Sequence, residues 1–309
     1  MKKPELVIHA NAVLAEGPCW DHINKVLYWV DIKGKDLHVY DPEKNSDRTI
    51  HIGQFVGTVA PAGEKEVALA MENGFHLLNL DTEELTFLKD PEEHIKENRF
   101  NDGKCDAMGR FWAGTMDKDG EGNTGSLYCL DHNLKIRKIE TNLGISNGLA
   151  WNKENTTFYF IDTPTQSVAA YDFDLEAGEV SNKRTVIHVP DEEGFPDGMT
   201  IDEEGMLWIA HYNGNQVGRW NPETGKMIES FPLPVSQVTC CTFGGKDLDE
   251  LYITTGRENL DEEALVSQPL AGSVFKIKTE TRGLKANFFK LGDQNEQSKK
   301  SDFQGADLK

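Results

Sequence analysis

The sequence predicts an all-β chain folded as a six-bladed β-propeller around a central channel, and three observations predict it. A strand–turn–strand unit recurs six times along 309 residues. Its copies are spaced by roughly 40 to 50 residues, the length of one four-stranded blade. No stretch carries a long, capped apolar stripe of helical period. A β-sandwich, or two smaller β domains, could use equally short strands but would need no such period.

The units follow in order. Residues 26–31 (VLYWVD) lead to 37–41 (LHVYD), and 67–70 (VALA) to 75–81 (FHLLNLD). Residues 110–114 (RFWAG) pair with 125–131 (GSLYCLD), and 157–162 (TFYFID) with 168–172 (VAAYD). The last two copies are 206–210 (MLWIA) with 217–221 (VGRWN), and 250–254 (ELYIT) with 272–277 (GSVFKI). Aromatic and β-branched side chains suit a pleated, half-buried surface. Turn signals bound the runs, among them Asp41-Pro42, Glu204-Gly205 and the stretch from Asn221 to Gly225. The segment from Pro91 to Glu97 has room for one helical turn at most. A ring must close, so residues 6–9 are expected to join the last blade beside residues 287–291. No linker rich in Pro, Gly or Ser divides the chain. Residues 1–291 therefore read as one domain, and 292–309 as a polar tail expected to be disordered.

Charge narrows the partners. With 32 Lys+Arg against 52 Asp+Glu the net charge is −20, which repels phosphate backbones and disfavours nucleic acid. It suits a cation, or a neutral or polar small molecule. No apolar run approaches the roughly 18 residues that cross a bilayer, and the apolar stretch after Glu5 is too short for a signal peptide. The five cysteines, Cys19, Cys105, Cys129, Cys240 and Cys241, are odd in number and lack zinc-finger spacing, so free buried thiols in a reducing cytoplasm are expected. A monomer or weak homodimer is expected.

Propeller ligands bind where innermost strands and loops converge on the channel. Four segments place Glu, Asn or Asp beside Gly at one phase of the repeat: Ala15-Glu16-Gly17-Pro18, Asn98 to Lys104, Ile145 to Leu149, and Phe195 to Met199. Taken singly, each pair reads as a turn. Their recurrence in one phase would bring Glu16, Asn101, Asn147 and Asp197 to a common axis. Two carboxylates with amide oxygens make a hard-oxygen site suited to Ca²⁺, Mg²⁺ or Mn²⁺. The stretch from Asp117 to Gly122 begins like an EF-hand loop, but its twelfth position is Tyr128 where a bidentate Glu is required. Among the nine histidines, His211 alone follows a strand at a place that could face the channel; a structural role is the commoner one.

These segments carry a resemblance. From about Leu14 to Phe289 the chain resembles the family of gluconolactonase, regucalcin and insect luciferin-regenerating enzyme. The pieces are those above together with residues 113–116 (AGTM), 145–151 (ISNGLAW) and 240–245 (CCTFGG). Residues 202–205 and 249–252 look closest to the luciferin-regenerating branch. The resemblance implies one divalent cation in the channel, Ca²⁺ ahead of Mn²⁺, Zn²⁺ and Mg²⁺, on Glu16, Asn147 and Asp197. It implies substrate binding by Arg99 and Asn101, with Asp102 beside them, and Asp197 as the base. Glu121 stands where sugar-lactone members carry an acidic lid residue, on a loop that looks shorter here. The implied reaction is hydrolysis of sugar lactones such as gluconolactone. The alternatives are a luciferin-regenerating type or broad esterase and phosphotriesterase on the same site, or a calcium-binding regulator without turnover.

Overall fold

The computed structural model describes residues 3–292. Within them, six four-stranded antiparallel sheets form the blades of a propeller. In chain order the innermost strands are Ala15–Asp21, Val56–Pro61, Asn98–Cys105, Ser146–Trp151, Phe195–Ile201 and Val238–Gly244. Each is followed outward by strands from its own repeat, so every aromatic run of the sequence is the second strand of a blade. The sixth blade is completed by the N-terminal strand Glu5–Ile8, which pairs antiparallel with Val274–Lys278.

The core lies between blades. Six clusters of buried apolar side chains each span one junction between neighbours. Trp20, Trp29, Tyr40 and Tyr252 seal the junction where the last blade meets the first. Trp112, Trp151, Phe158 and Phe173 fill that between the third and fourth. Aromatic side chains supply the large buried areas such wedges need. Polar anchors recur as well: Asp106 accepts from Trp112 Nε1 at 2.8 Å and Asp202 from Trp208 Nε1 at 2.9 Å.

Closure differs from the expectation in one respect. The N-terminal strand does join the last blade, but residues 287–291 do not lie beside it. That sheet already holds four strands, so the apolar side chains of the C-terminal segment find another use. Residues 279–292 form a strap across one end of the propeller. Glu203 N bonds Arg282 O at 2.8 Å in the fifth blade, and Asn287 Nδ2 donates to Cys105 O at 3.2 Å in the third. Phe288 meets His22 of the first blade edge-on at 5.2 Å. Phe289 N bonds Pro61 O at 2.8 Å in the second blade, while its ring is buried in the junction with the third. The expectation of a disordered tail falls, Gly292 aside, outside the described residues.

The 91–97 segment makes hydrogen-bonded turns rather than a helical turn, as Ile95 N to Glu92 O at 2.7 Å. A six-residue helix, Glu262–Ser267, stands where none was expected, with Asp261 capping the Ala264 amide at 2.8 Å. It is too short to register a period. All five cysteines are free, and four of them are buried. No helix of the described residues is long and apolar enough to cross a membrane.

Candidate functional site

The predicted site residues other than Glu121 sit on strands rather than in turns, at or beside irregularities shared by all six innermost strands. Register shifts fall between Glu16 and Cys19, Val56 and Thr58, Phe100 and Gly103, Ser146 and Leu149, Pro196 and Met199, and Val238 and Cys240. A bulge re-aims a side chain out of the alternating pattern. Asn101, Asp102, Asn147 and Asp197 lie inside these bulges and Glu16 borders its own, and all five are buried.

Glycine permits the belt of bulges to close. A Cβ on Gly57 would stand 2.5 Å from Asn101 O, and one on Gly148 would stand 2.8 Å from Asp197 O. Neighbouring innermost strands thus touch backbone to backbone around the axis, which only Gly allows. The Asx-Gly pairs serve this close approach.

Hydrogen bonds orient the inward groups. Arg99 Nη1 donates to Asn101 Oδ1 at 2.8 Å and to Phe100 O at 3.0 Å, while its Nε is buried without a partner. Asn101 Nδ2 donates to Ser146 O of the next blade at 2.9 Å, so both ends of this amide are engaged. Asn147 Nδ2 donates to Thr163 Oγ1 at 3.1 Å, and Thr163 Oγ1 donates onward to Pro196 O at 2.9 Å. That leaves Asn147 Oδ1 a buried acceptor with no donor. Glu16 and Asp102 each accept from the amide of the glycine that follows, at 2.9 and 2.7 Å.

Electrostatics ties these groups together. Burial pushes the Glu16 carboxyl well above its usual range, and the charges of Asp197 and Asp102 push it further. Burial likewise raises Asp197, aided by Asp102 and opposed by its bond with Asn147. Asp102 is raised by burial and drawn back by the Lys104 ammonium. Burial lowers the Arg99 guanidinium to about 10 against the pull of Glu258, Glu16, Asp197 and Glu72. Two buried carboxyls coupled by charge, Glu16 and Asp197, beside an orphaned amide oxygen form a donor set that fits a hard divalent cation. Among the described residues no three His, Cys, Asp or Glu side chains could hold a metal by themselves. The predicted set has two carboxylates and an amide, so its third donor is Asn147 Oδ1.

Against this geometry, the family model described as "SMP-30/Gluconolactonase/LRE-like region" matches residues 14–257. The chain belongs to this family. The protein named "Putative sugar lactone lactonase YvrE" of Bacillus subtilis is 44% identical over 272 residues, covering 88% of this chain and 93% of YvrE. A solved regucalcin from Agrobacterium tumefaciens, described as a calcium-binding protein, superposes with a TM-score of 0.90 at 26% identity, over 94% of this chain and 98% of its own. A solved luciferin-regenerating enzyme superposes with a TM-score of 0.89 at 31% identity, over 94% of this chain and all of its own (100%).

In this member of the family, two of the residues singled out from the sequence stand apart from the belt. Glu121 is exposed in the loop between Phe111–Asp117 and Gly125–Leu130, its amide bonded to Asp117 Oδ1 at 3.3 Å. Asp117 also accepts from Asp119 N at 2.9 Å, so the EF-hand-like stretch is a turn organised by its own carboxylate. His211 is fully buried, stacked on Trp220 and bonded to Glu193 O at 2.9 Å. It is structural.

Sequence reasoning missed Thr163, Glu72 and Glu258. Thr163 fixes the Asn147 amide; Glu72 and Glu258 act on the Arg99 charge, each paired with a lysine, Lys118 at 2.5 Å and Lys33 at 3.2 Å. Glu72 and Thr163 directly follow the second strand of their blade, and Glu258 lies three residues beyond it. Polar residues at that second phase of the repeat were the available signal.

Proposed function

We propose that the chain hydrolyses lactones, sugar lactones such as gluconolactone foremost, with a divalent cation held by Glu16, Asn147 and Asp197. The observation that carries this reading is the convergence of two buried carboxylates, an undonated amide oxygen and a buried guanidinium on one belt of bulges. The name of YvrE, a relative matched over most of its length, supports the substrate class.

The cation, when bound, supplies Lewis-acid polarisation of the lactone carbonyl. The residues do the rest. The Asp197 carboxylate takes a proton from the attacking water as general base, and returns it to the ring oxygen as the acyl C–O bond breaks. The Arg99 Nε–H, without a protein partner, donates to the carbonyl oxygen or to a ring hydroxyl as negative charge develops. Asn101, engaged at both ends, acts as a positioning residue that holds the Arg99 fork. Thr163 does the same for Asn147. The product is a hydroxy acid, so turnover releases protons.

A pH-indicator assay on gluconolactone tests the reading. Acid release should stop with EDTA and return with Ca²⁺, Mn²⁺ or Zn²⁺. Turnover insensitive to chelation would rule out the cation. A second reading draws on the regucalcin described as calcium-binding: tight Ca²⁺ binding with no turnover on any lactone, simple ester or phosphotriester would favour a regulator. Turnover confined to simple esters or phosphotriesters would favour the broader esterase.

A further inference from the structure

The six innermost strands run past the bulges to a second mouth, and its chemistry is the reverse of the first. The distal halves of these strands, with residues 284–287 of the strap, enclose a cavity of about 250 Å³. Three lysines line it: Lys104, Lys153 and Lys285. Lys285 also borders an adjoining hollow that holds Lys25, Lys246 and Arg282. Among the described residues none of these six cations stands in an ion pair, whereas Lys118 and Lys65, for example, are taken up by Glu72 and Asp81. The carboxylates on the same surfaces are Asp102, Glu203 and Asp247. Asp102 belongs to the belt above, where it acts on Glu16 and Asp197. Lys104 is half-buried and spends one N–H on Met199 O at 2.9 Å, which leaves the rest of its ammonium to the cavity.

We propose that this strapped distal mouth is a binding site for a compact organic polyanion, a phosphate ester or a polycarboxylate, held by Lys104, Lys153 and Lys285. Three lysines against one lining carboxylate, Asp102, create a local positive field in a chain of net charge −20. The cavity lies just below the usual 300–1,000 Å³ of ligand pockets, so the occupant is small. The strap supplies both a wall and Lys285, so the site depends on the segment that crosses the blades. None of Glu16, Arg99, Asn147 and Asp197, the groups of the proposed reaction centre, lines it.

Isothermal titration of the full chain with inorganic phosphate and with succinate, at ionic strength matched by sodium chloride, tests this. Saturable binding of at least one is expected, weakened about tenfold or more in the Lys153→Gln/Lys285→Gln double variant and unchanged in Lys44→Gln, a surface control. Both substituted lysines are exposed, so gluconolactone turnover and melting temperature should stay as in the parent; should the double variant not fold, Lys285→Gln alone carries the test. Binding of phosphate alone assigns a phosphate ester, and of succinate alone a polycarboxylate. No saturable heat with either anion, or parental affinity in the variant, overturns the proposal.

Discussion

The two mouths of one channel are built from the same six strands and have opposite character. At the near mouth each innermost strand breaks register, with Asn101, Asp102, Asn147 and Asp197 inside the breaks and Glu16 at the edge of its own. At the far mouth the strands pair regularly again, and lysines and the strap furnish the wall. Lys104 and Asp102, two residues apart, mark the changeover, the ammonium offsetting the carboxylate from below. A propeller strand can thus present two unrelated chemistries at its ends, because a bulge resets which side chains face the axis. Local irregularity, more than the repeat itself, sets the polarity of each mouth.

Both mouths depend on the ring being closed, and the largest expected effect comes from opening it. Deleting residues 1–10 removes the strand that completes the sixth blade, and should abolish the cooperative thermal transition. A truncated chain that melts like the parent would show that closure lies elsewhere. Next in size, Asp197→Ala or Glu16→Ala should lower gluconolactone turnover by about three orders of magnitude, in the range that general bases supply. Circular dichroism should be unchanged. Substantial activity in either variant would break the assignment of the near mouth.

The strap gives a sharper contrast. Phe289 is 1% exposed against Phe111, so Phe289→Ala should cost about 3–5 kcal/mol of stability. The KM for gluconolactone at a permissive temperature should not move, since the ring packs at the far end. A changed KM with little loss of stability would show that the mouths are not independent.

The smallest effect concerns pH. Burial sets the Glu16 and Asp197 carboxyls above their ordinary values of 4.5 and 3.8. Groups raised in the folded state lend their stability in full below the ordinary carboxylate range, and lose it as pH rises through the raised values. The melting temperature of cation-free protein should therefore fall, relative to Glu16→Gln, as pH rises from about 4 toward neutrality. Adding Ca²⁺ at neutral pH should restore the difference. A gap between parent and variant that does not depend on pH would contradict the buried, repelling cluster.

Much of this was legible in the residues. Runs such as VLYWVD and TFYFID announced strands, because a strand packed on both faces must be apolar and branched or aromatic throughout; that each is the second of its blade came from the fold. The phase shared by Glu16, Asn147 and Asp197 pointed to one axis. Other parts were not legible. The glycines read as turns because a bulge within a strand has the same local composition as a turn. What separates the two is the Asp197 carbonyl pressed against Gly148, a contact from the next blade. The run from Asn287 to Leu291 looked like a strand, but no sheet edge was left for it.

By itself the sequence determined the number of blades, the all-β class and which polar residues share a phase, since these follow from local composition and period. Only the tertiary structure decided that the phase falls on bulges, that Thr163 turns the Asn147 oxygen inward, and that residues 279–292 strap the far mouth. Each of these rests on contacts between blades, and no local pattern encodes which neighbour a side chain or carbonyl will meet.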